Sequence, residues 1–453
     1  MVPRFGTDGI RGVANSELTP ELVLALGRAT ARVIPAAAFL VGRDTRRSGP
    51  LLQAALSAGL AAEGADVIDV GVLPTPALAW LADERSLPAA VISASHNPFP
   101  DNGVKLFSDQ GTKLPVATEE EIEVVCSGIL DPSGPKVRAP EAYGVGRMTA
   151  EPAAAAAYAD HLVEVLDGRR LDGLSVVVDC ANGAASGLAE SIFTRLGADV
   201  TVIGAEPDGT NINDGCGSTA PDALAAAVVA RGAALGLALD GDADRLLAVD
   251  GTGALVGGDE LLALFAQDLA SRGQLAGNTV VVTVMTNLGF RRAMTEQGIV
   301  VKETPVGDRH VLARLDADGL ALGGEQSGHI IFRQAATTGD GMLTGLALAD
   351  LVVRSGRPLA DLATTVLERV PQVLVNVQVA AAERLADAVA VWEAVAAEEE
   401  ALGATGRILL RPSGTEPLVR VMVEASGDGV AEAVALRLAQ VVRTELGAAP
   451  APG

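Results

Sequence analysis

The chain has 453 residues, a formal net charge of −23 and 49% apolar residues, with an aromatic content of only 3%. That length predicts about three domains, with four small ones possible, and the apolar set predicts Ala/Val/Leu cores of the kind that pack α/β layers. The acidic balance, with no basic tract, argues against nucleic acid or an anionic membrane surface as the main partner, while a few focused arginines still permit anionic small molecules.

The N-terminus, MVPRFGTDGIRG, carries no apolar leader core, and no uncharged run is long enough to span a bilayer, so a cytoplasmic protein is expected. Cys126, Cys180 and Cys216 are odd in number and lack paired metal spacing, which predicts core or loop filler and no disulfide framework.

Thr19-Pro20 reads as an N-cap followed by a first-turn proline that opens a helix. A strand over 39–41, the turn GRDTRRSG, a helix over about 51–62 and the strand ADVIDVG follow in βαβ alternation, the mark of a mostly parallel, doubly covered sheet. An apolar lead over 88–92 then runs into ISASHNPFPDNGVKLF. Ser95 stands at the tip of that loop, and Pro98 keeps Asn97 out of helical φ/ψ. An Asp101-Asn102-Gly103 turn is expected to fold the chain back to Lys105. A hydroxyl on a presented tip with a lysine nearby suits a phosphoryl acceptor beside a base. This first unit runs through a Pro/Gly-rich polar stretch at 131–152.

A second unit starts with a helix over 152–166, alternates through strands at 174–180, 198–204 and 235–239, and closes near 254. A third holds helices over 258–272, 288–297, 307–317 and 340–353, with strands between them. The final stretch reads strand 373–379, helix 381–402, strand 406–410, the loop RPSGTEP, strand 418–425 and helix 428–446. Antiparallel pairing across short loops makes it an α+β module. The division is 1–152, 153–254, 255–369 and 370–453.

DGDADR, residues 240–245, is the strongest metal signal. Asp240, Asp242 and Asp244 alternate, and in extended backbone alternate side chains share a face. Few hard oxygen ligands after a buried strand suit Mg²⁺, and EF-hand spacing for calcium is lacking. A phosphatase with an aspartyl nucleophile also uses alternating aspartates, but leaves Ser95 unexplained. RPSGTEPLVR resembles an anion cradle: Ser413, Gly414 and Thr415 offer backbone N–H groups and hydroxyls, and Arg411 and Arg420 offer bidentate charge. GGEQSGHI sets Glu325, Ser327 and His329 at alternating positions, an array of donors and acceptors suited to sugar hydroxyls, with His329 able to move protons. Among the arginines of the glycine loops, Arg11 is placed at the active site, whereas Arg43, Arg46 and Arg47 read as surface charges or salt-bridge partners. The loop VGDRHV could approach a ligand backbone-first through Gly307.

ISASHNPFPDNGVKLF, DGDADR, GEQSGH and RPSGTEP occur in order and resemble the four active-site loops of the α-D-phosphohexomutase superfamily. Gln326, Ala243, the opening RFGTDGIRG and DGTNINDGCGST (208–219) resemble its bacterial branch acting on glucosamine phosphates, with Ala220 departing from a histidine common there. The resemblance implies an α/β fold: three related α/β domains with mixed, mostly parallel sheets plus a mobile C-terminal α+β domain, around a central active-site cleft. It implies an intramolecular phosphotransferase that interconverts hexosamine 6- and 1-phosphates for amino-sugar nucleotide synthesis. Ser95 would be the phosphoserine and would bind Mg²⁺ together with Asp240, Asp242 and Asp244. Lys105 would be an acid/base group, with His329 a second. Arg11 and Arg245 would stabilise charge on the transferring group, Glu325 and Ser327 would grip the sugar, and Arg411, Ser413, Gly414, Thr415 and Arg420 would hold the far phosphate. A bisphosphorylated hexose would prime the enzyme, and a homodimer is possible.

Overall fold

A computed structural model of the chain describes residues 4–6, 8–134, 139–413, 417–427 and 429–447. They form two compact units, Met1–Met285 with Gly298–Val366, and Thr286–Gln297 with Leu367–Gly453.

The larger unit carries three mixed sheets. The first has the strand order Ile10–Val13, Asp101–Phe107, Ala89–Ile92, Ala38–Arg43, Asp66–Val72, Met148–Ala150. Its first two pairings are antiparallel and its last three parallel. The second runs Leu255–Val256, Leu246–Asp250, Leu235–Leu239, Ser175–Asp179, Asp199–Ile203, again antiparallel at one end and parallel at the other. The third runs Val300–Thr304, Thr279–Thr283, Leu322–Gly324, Ile330–Phe332, with only the last pairing antiparallel.

A shared plan places the loops. In each sheet a strand paired in parallel on one side turns back into an antiparallel neighbour, and the connection holds the polar motif. Residues 93–100 join Ala89–Ile92 to Asp101–Phe107, residues 240–245 join Leu235–Leu239 to Leu246–Asp250, and residues 325–329 join Leu322–Gly324 to Ile330–Phe332. Buried strands with near-continuous apolar sequence, such as LGLAL, hold these loops on rigid supports.

Local signals explain many boundaries. Thr19 accepts the N–H of Leu22 at 3.3 Å and Pro20 opens the helix Pro20–Val33, as expected from sequence. Cys126, Cys180 and Cys216 are free and buried. Three expectations change. Asp101–Gly103 is not a turn but the start of a strand paired on both sides, and the reversal occurs in the HNPFP segment before it. Met148–Ala150 adds a sixth strand within the stretch read as a loop. The helix expected over 381–402 is broken: a 3₁₀ turn, Ala382–Asp387, precedes the α-helix Val389–Leu402, and Ala388 between them has ψ 79°. At the break the Leu385 carbonyl accepts both the Ala388 N–H at 3.2 Å and the Trp392 indole N–H at 2.9 Å.

The smaller unit is an antiparallel sheet in the order Gln372–Gln378, Leu418–Ala425, Gly406–Pro412, covered by Val389–Leu402 and Val430–Leu446. Among the described residues no helix is long and apolar enough to cross a membrane.

Asp340 caps the helix Gly341–Ser355 by accepting the Leu343 N–H at 2.9 Å, and it also accepts the Tyr158 hydroxyl at 2.8 Å. Burial pushes its carboxyl from 3.8 up to about 6, with these two hydrogen bonds offsetting part of the effect. Between those values the folded protein binds more protons than the unfolded chain, so this contribution to stability is present at low pH and lost as pH rises through about 6. In Asp340→Asn, thermal melts should show the variant gaining on the wild type from about pH 4 to about pH 6, with a constant gap above.

Candidate active site

Ser95 is buried and has a φ of 52°, a left-handed conformation uncommon for serine. Its Oγ donates to Asp240 Oδ2 at 2.6 Å and lies 3.3 Å from His96 Nδ1. Burial, with Arg245 and Arg11 adding to it, lowers the His96 imidazole to about 4, so it is neutral near pH 7.

Asp240, Asp242 and Asp244 each offer a ligand atom, and these atoms lie within 4.8 Å of one another. The convergence expected from alternation is present, but its cause differs. The loop is a turn, with Ala243 at φ 56°, so coiled backbone rather than an extended strand gathers the carboxylates. Burial first, then Asp244 and Asp242, raise the Asp240 carboxyl well above its usual range. Asp242 Oδ1 and Asp244 Oδ1 are buried without a hydrogen-bond partner. An all-oxygen, buried, mutually repelling set with two unused acceptors fits a hard divalent cation such as Mg²⁺.

Lys105 projects from the strand Asp101–Phe107 into this cluster. Its Nζ lies 2.7 Å from Asp242, 2.9 Å from Asp8 and 3.4 Å from Asp244. Burial opposes its charge, but the three carboxylates outweigh burial and raise its pKa well above the ordinary lysine value. Ion pairs extend outward, with Lys113 2.8 Å from Asp8 and 2.7 Å from Asp308, and Asp308 in turn lies 3.7 Å from His329 Nε2. Asp8, Lys113 and Asp308 were not singled out from the sequence. Asp8 and Asp308 occur in RFGTDGIRG and VGDRHV, loops noted there only for Arg11 and Gly307.

Arg11 pairs with Asp8. The Arg245 guanidinium Nε is 3.7 Å from Asp244, and its backbone N–H donates to Asp240 at 3.2 Å. The 325–329 turn is closed by the Glu325 N–H donating to the His329 carbonyl at 2.9 Å. Glu325 accepts the Gly307 N–H at 3.1 Å. The Ser327 hydroxyl is buried and unpartnered, and the Gly339 N–H points at His329 Nε2 from 3.2 Å, leaving Nδ1 without a partner. The larger unit thus brings Ser95, Lys105, Arg11, Arg245 and the aspartates into one network that reaches His329.

Arg46, read as a surface charge or a salt-bridge partner, does pair with Asp44 at 3.0 Å, but it is fully buried and donates to carbonyls of the Ser95 loop. Arg47 is exposed and Arg43 half-buried. In the smaller unit Arg411 and Arg420 are direct cross-strand partners, which puts both guanidinium groups on one face of the sheet. The Ser413 N–H donates to the Leu418 carbonyl at 2.9 Å. Gly414 and Thr415 lie outside the described residues.

The family description phosphoglucomutase/phosphomannomutase matches in four parts: alpha/beta/alpha domain I over residues 3–129, domain II over 156–253, domain III over 257–370 and the C-terminal domain over 374–441. A phosphoglucosamine mutase of Saccharopolyspora erythraea is 53% identical over 445 residues, covering 97% of this chain and 98% of the relative. One from Streptomyces avermitilis is 53% identical over 452 residues, covering 98% and 99%. The chain belongs to the phosphoglucosamine mutase family. Among solved structures, a phosphoglucomutase/phosphomannomutase family protein from Burkholderia thailandensis superposes with a TM-score of 0.81 at 26% identity, covering 99% of each chain. The Aspergillus fumigatus N-acetylphosphoglucosamine mutase, solved with GlcNAc-6P and magnesium, shares the fold with a TM-score of 0.69 at 18% identity, covering 99% of this chain and 96% of that one. This phosphoglucosamine mutase family member therefore has the four-domain α/β architecture with mixed sheets expected from its loops.

Proposed function

We propose that the protein interconverts glucosamine 6-phosphate and glucosamine 1-phosphate through a phosphoserine at Ser95 and a bisphosphorylated sugar, an isomerase step in amino-sugar metabolism. The observation that carries this reading is a buried serine hydroxyl 2.6 Å from one carboxylate of a three-aspartate cluster, with a buried lysine 2.7 Å from a second. Near-full-length identity to phosphoglucosamine mutases supports the choice of sugar.

A sugar hydroxyl attacks the phosphoserine phosphorus. The new P–O bond forms as the bond to Ser95 Oγ breaks, and the proton that the sugar hydroxyl gives up is passed through the acid/base groups to Oγ, which becomes a free hydroxyl. The bisphosphate turns end for end, and Ser95 Oγ then takes the opposite phosphoryl group. Lys105 is the acid/base group, cationic among its carboxylates and so able to give a proton to a departing oxygen. His329 is the second candidate, through Nδ1. Arg11 and Arg245 face the charge that spreads over the transferring group. Asp240, Asp242, Asp244 and Ser95 would hold Mg²⁺, which when bound supplies positive charge to the phosphoryl oxygens. A bisphosphorylated hexose restores a Ser95 that has lost its phosphate.

Glu325 and Ser327 grip sugar hydroxyls. Arg411, Ser413, Gly414, Thr415 and Arg420 hold the phosphate that is not reacting and must accept either end of the sugar. Family resemblance also supports domain boundaries after residues 152, 254 and 369 and a cytoplasmic location. Arg420→Ala should raise KM about tenfold or more with a smaller change in kcat, since a charge-assisted phosphate contact is lost; an unchanged KM removes Arg420 from the cradle.

The reading is tested by assaying glucosamine, glucose and mannose 6-phosphates with a bisphosphate primer present. Fastest isomerisation of the glucosamine ester is expected. A preference for glucose or mannose assigns the chain to a sister specificity, and phosphate release as fast as isomerisation replaces the mutase reading with a phosphatase.

A further inference from the structure

We propose that Arg46 and Asn213 form a two-point clamp on the Ser95 main chain, and that phosphoryl transfer in both directions depends on it. The proposal rests on the reading of Ser95 as the phosphoryl carrier.

Ser95 sits at φ 52° without the freedom of glycine or the local side-chain bonding of asparagine, so surrounding contacts must hold it there. Its carbonyl accepts two side-chain donors, Arg46 Nη2 at 2.9 Å and Asn213 Nδ2 at 2.9 Å. Both donors also reach the Asn97 carbonyl, at 2.8 Å and 3.1 Å, and Arg46 Nη1 reaches the Pro98 carbonyl at 2.8 Å. One planar fork thus holds three carbonyls of a four-residue stretch, a geometry that guanidinium allows and a lysine ammonium does not.

The loop's N–H side is tied to the same arginine through Asp44. Asp44, bound to Arg46 Nε at 3.0 Å, accepts the Ser93 hydroxyl at 2.6 Å, and Ser93 Oγ accepts the Ser95 N–H at 3.0 Å. Asp44, Arg46, Ser93 and Ser95 are all fully buried, so water does not compete for these bonds. Asn213 arrives from a segment 118 residues further along the chain. Gly241, in the aspartate loop, packs against the same carbonyl so closely that a Cβ there would lie 2.6 Å from Ser95 O. The clamp therefore sets where Ser95 Oγ stands relative to Asp240.

These contacts use backbone atoms, so they are the same whether Oγ is free or phosphorylated. A relay that gives up one phosphoryl group and accepts another needs its oxygen returned to one place after each transfer. Arg46 and Asn213 are positioning residues in this sense, touching neither sugar nor phosphate.

The test compares wild type with Asn213→Ala and Arg46→Lys, measuring kcat and KM in both directions, melting temperature, and Ser95 phosphate by intact mass. With the fold retained, Asn213→Ala is expected to lower kcat about tenfold and Arg46→Lys about a hundredfold, equally in both directions, with KM within about twofold. Added guanidinium should restore part of the activity of Arg46→Ala. A wild-type kcat in Asn213→Ala, or a change confined to KM or melting temperature, overturns the clamp; if the Arg46 variants do not fold, Asn213→Ala decides alone. A wild type that turns over with no phosphate ever found on Ser95 overturns the carrier reading and the clamp with it. A phosphorylated wild type with unimpaired variants overturns the clamp only.

Discussion

Ser95→Ala is expected to fold and to lose turnover by roughly 10⁴-fold or more, the scale on which enzymes lose rate when the group forming the covalent intermediate is removed. The fold should survive because the loop is held through main-chain atoms: the Ser95 N–H to Ser93, and the carbonyl to Arg46 and Asn213. Alanine keeps all of these. What it loses is the Oγ donor to Asp240, a carboxylate whose burial beside two others already raises its pKa, so protonation of Asp240 can absorb the loss. Intact mass and peptide mapping should find a phosphoryl group on wild-type Ser95 and none on the variant. Full isomerase activity in Ser95→Ala would sink the mechanism, because His96, whose Nδ1 lies 3.3 Å from Ser95 Oγ, is a neutral imidazole in a different position.

Much of this site was legible in the sequence because its chemistry is carried by short local motifs. Ser95 beside its loop prolines, the three aspartates, and Glu325 with Ser327 and His329 each lie within a few residues of one another. What local pattern could not give is the partner across the fold. Lys105 meets Asp242 across 137 residues, and Arg309 meets Glu119 across 190. Arg46 shows the cost of that blindness. An arginine next to two other charged residues in a glycine turn reads as a surface charge or a salt-bridge partner, and nothing within the turn reveals the three carbonyls around residue 95 that it serves. Asp8 was similarly overlooked beside Arg11, although Lys105, Lys113 and Arg11 together outweigh its burial and hold its carboxyl well below the usual range. The aspartate triplet offers the opposite lesson: the convergence was inferred from strand alternation, whereas a turn with Ala243 at φ 56° produces it. The fold class followed from βαβ alternation. The antiparallel edges did not, since Asp101–Phe107 opens on Asp-Asn-Gly, a turn signal overridden by pairing of those three residues with Val13, Gly12 and Arg11.

Two substitutions in the aspartate cluster should share one effect on activity and have opposite effects on the stability of the chelated protein. Asp240→Asn and Asp242→Asn are each expected to lower kcat by about 10²–10³-fold, as is EDTA, if the cluster holds the metal that stabilises the transferring charge. Stability divides them because their neighbours differ. Burial, Asp244 and Asp242 all disfavour the ionised form of Asp240, so removing its charge relieves repulsion, and the asparagine oxygen still accepts from Ser95. Asp242 instead accepts the Lys105 ammonium at 2.7 Å and the Thr75 hydroxyl at 2.5 Å, so neutralising it weakens the pairing of a buried cation. In EDTA, Asp240→Asn should therefore melt above the wild type and Asp242→Asn below it. The sign of the pH dependence follows from the raised pKa of Asp240: its stabilising neutral form is lost as pH rises through that pKa, so the advantage of Asp240→Asn should widen with pH. Added Mg²⁺ should reverse the order by raising the wild-type melting temperature far more than that of either variant, because a ligand stabilises the state that binds it. Equal shifts on adding Mg²⁺ to all three proteins would place the metal elsewhere, and a lower melting temperature for Asp240→Asn in EDTA would show that Asp240 is held by attraction and not strained by its neighbours.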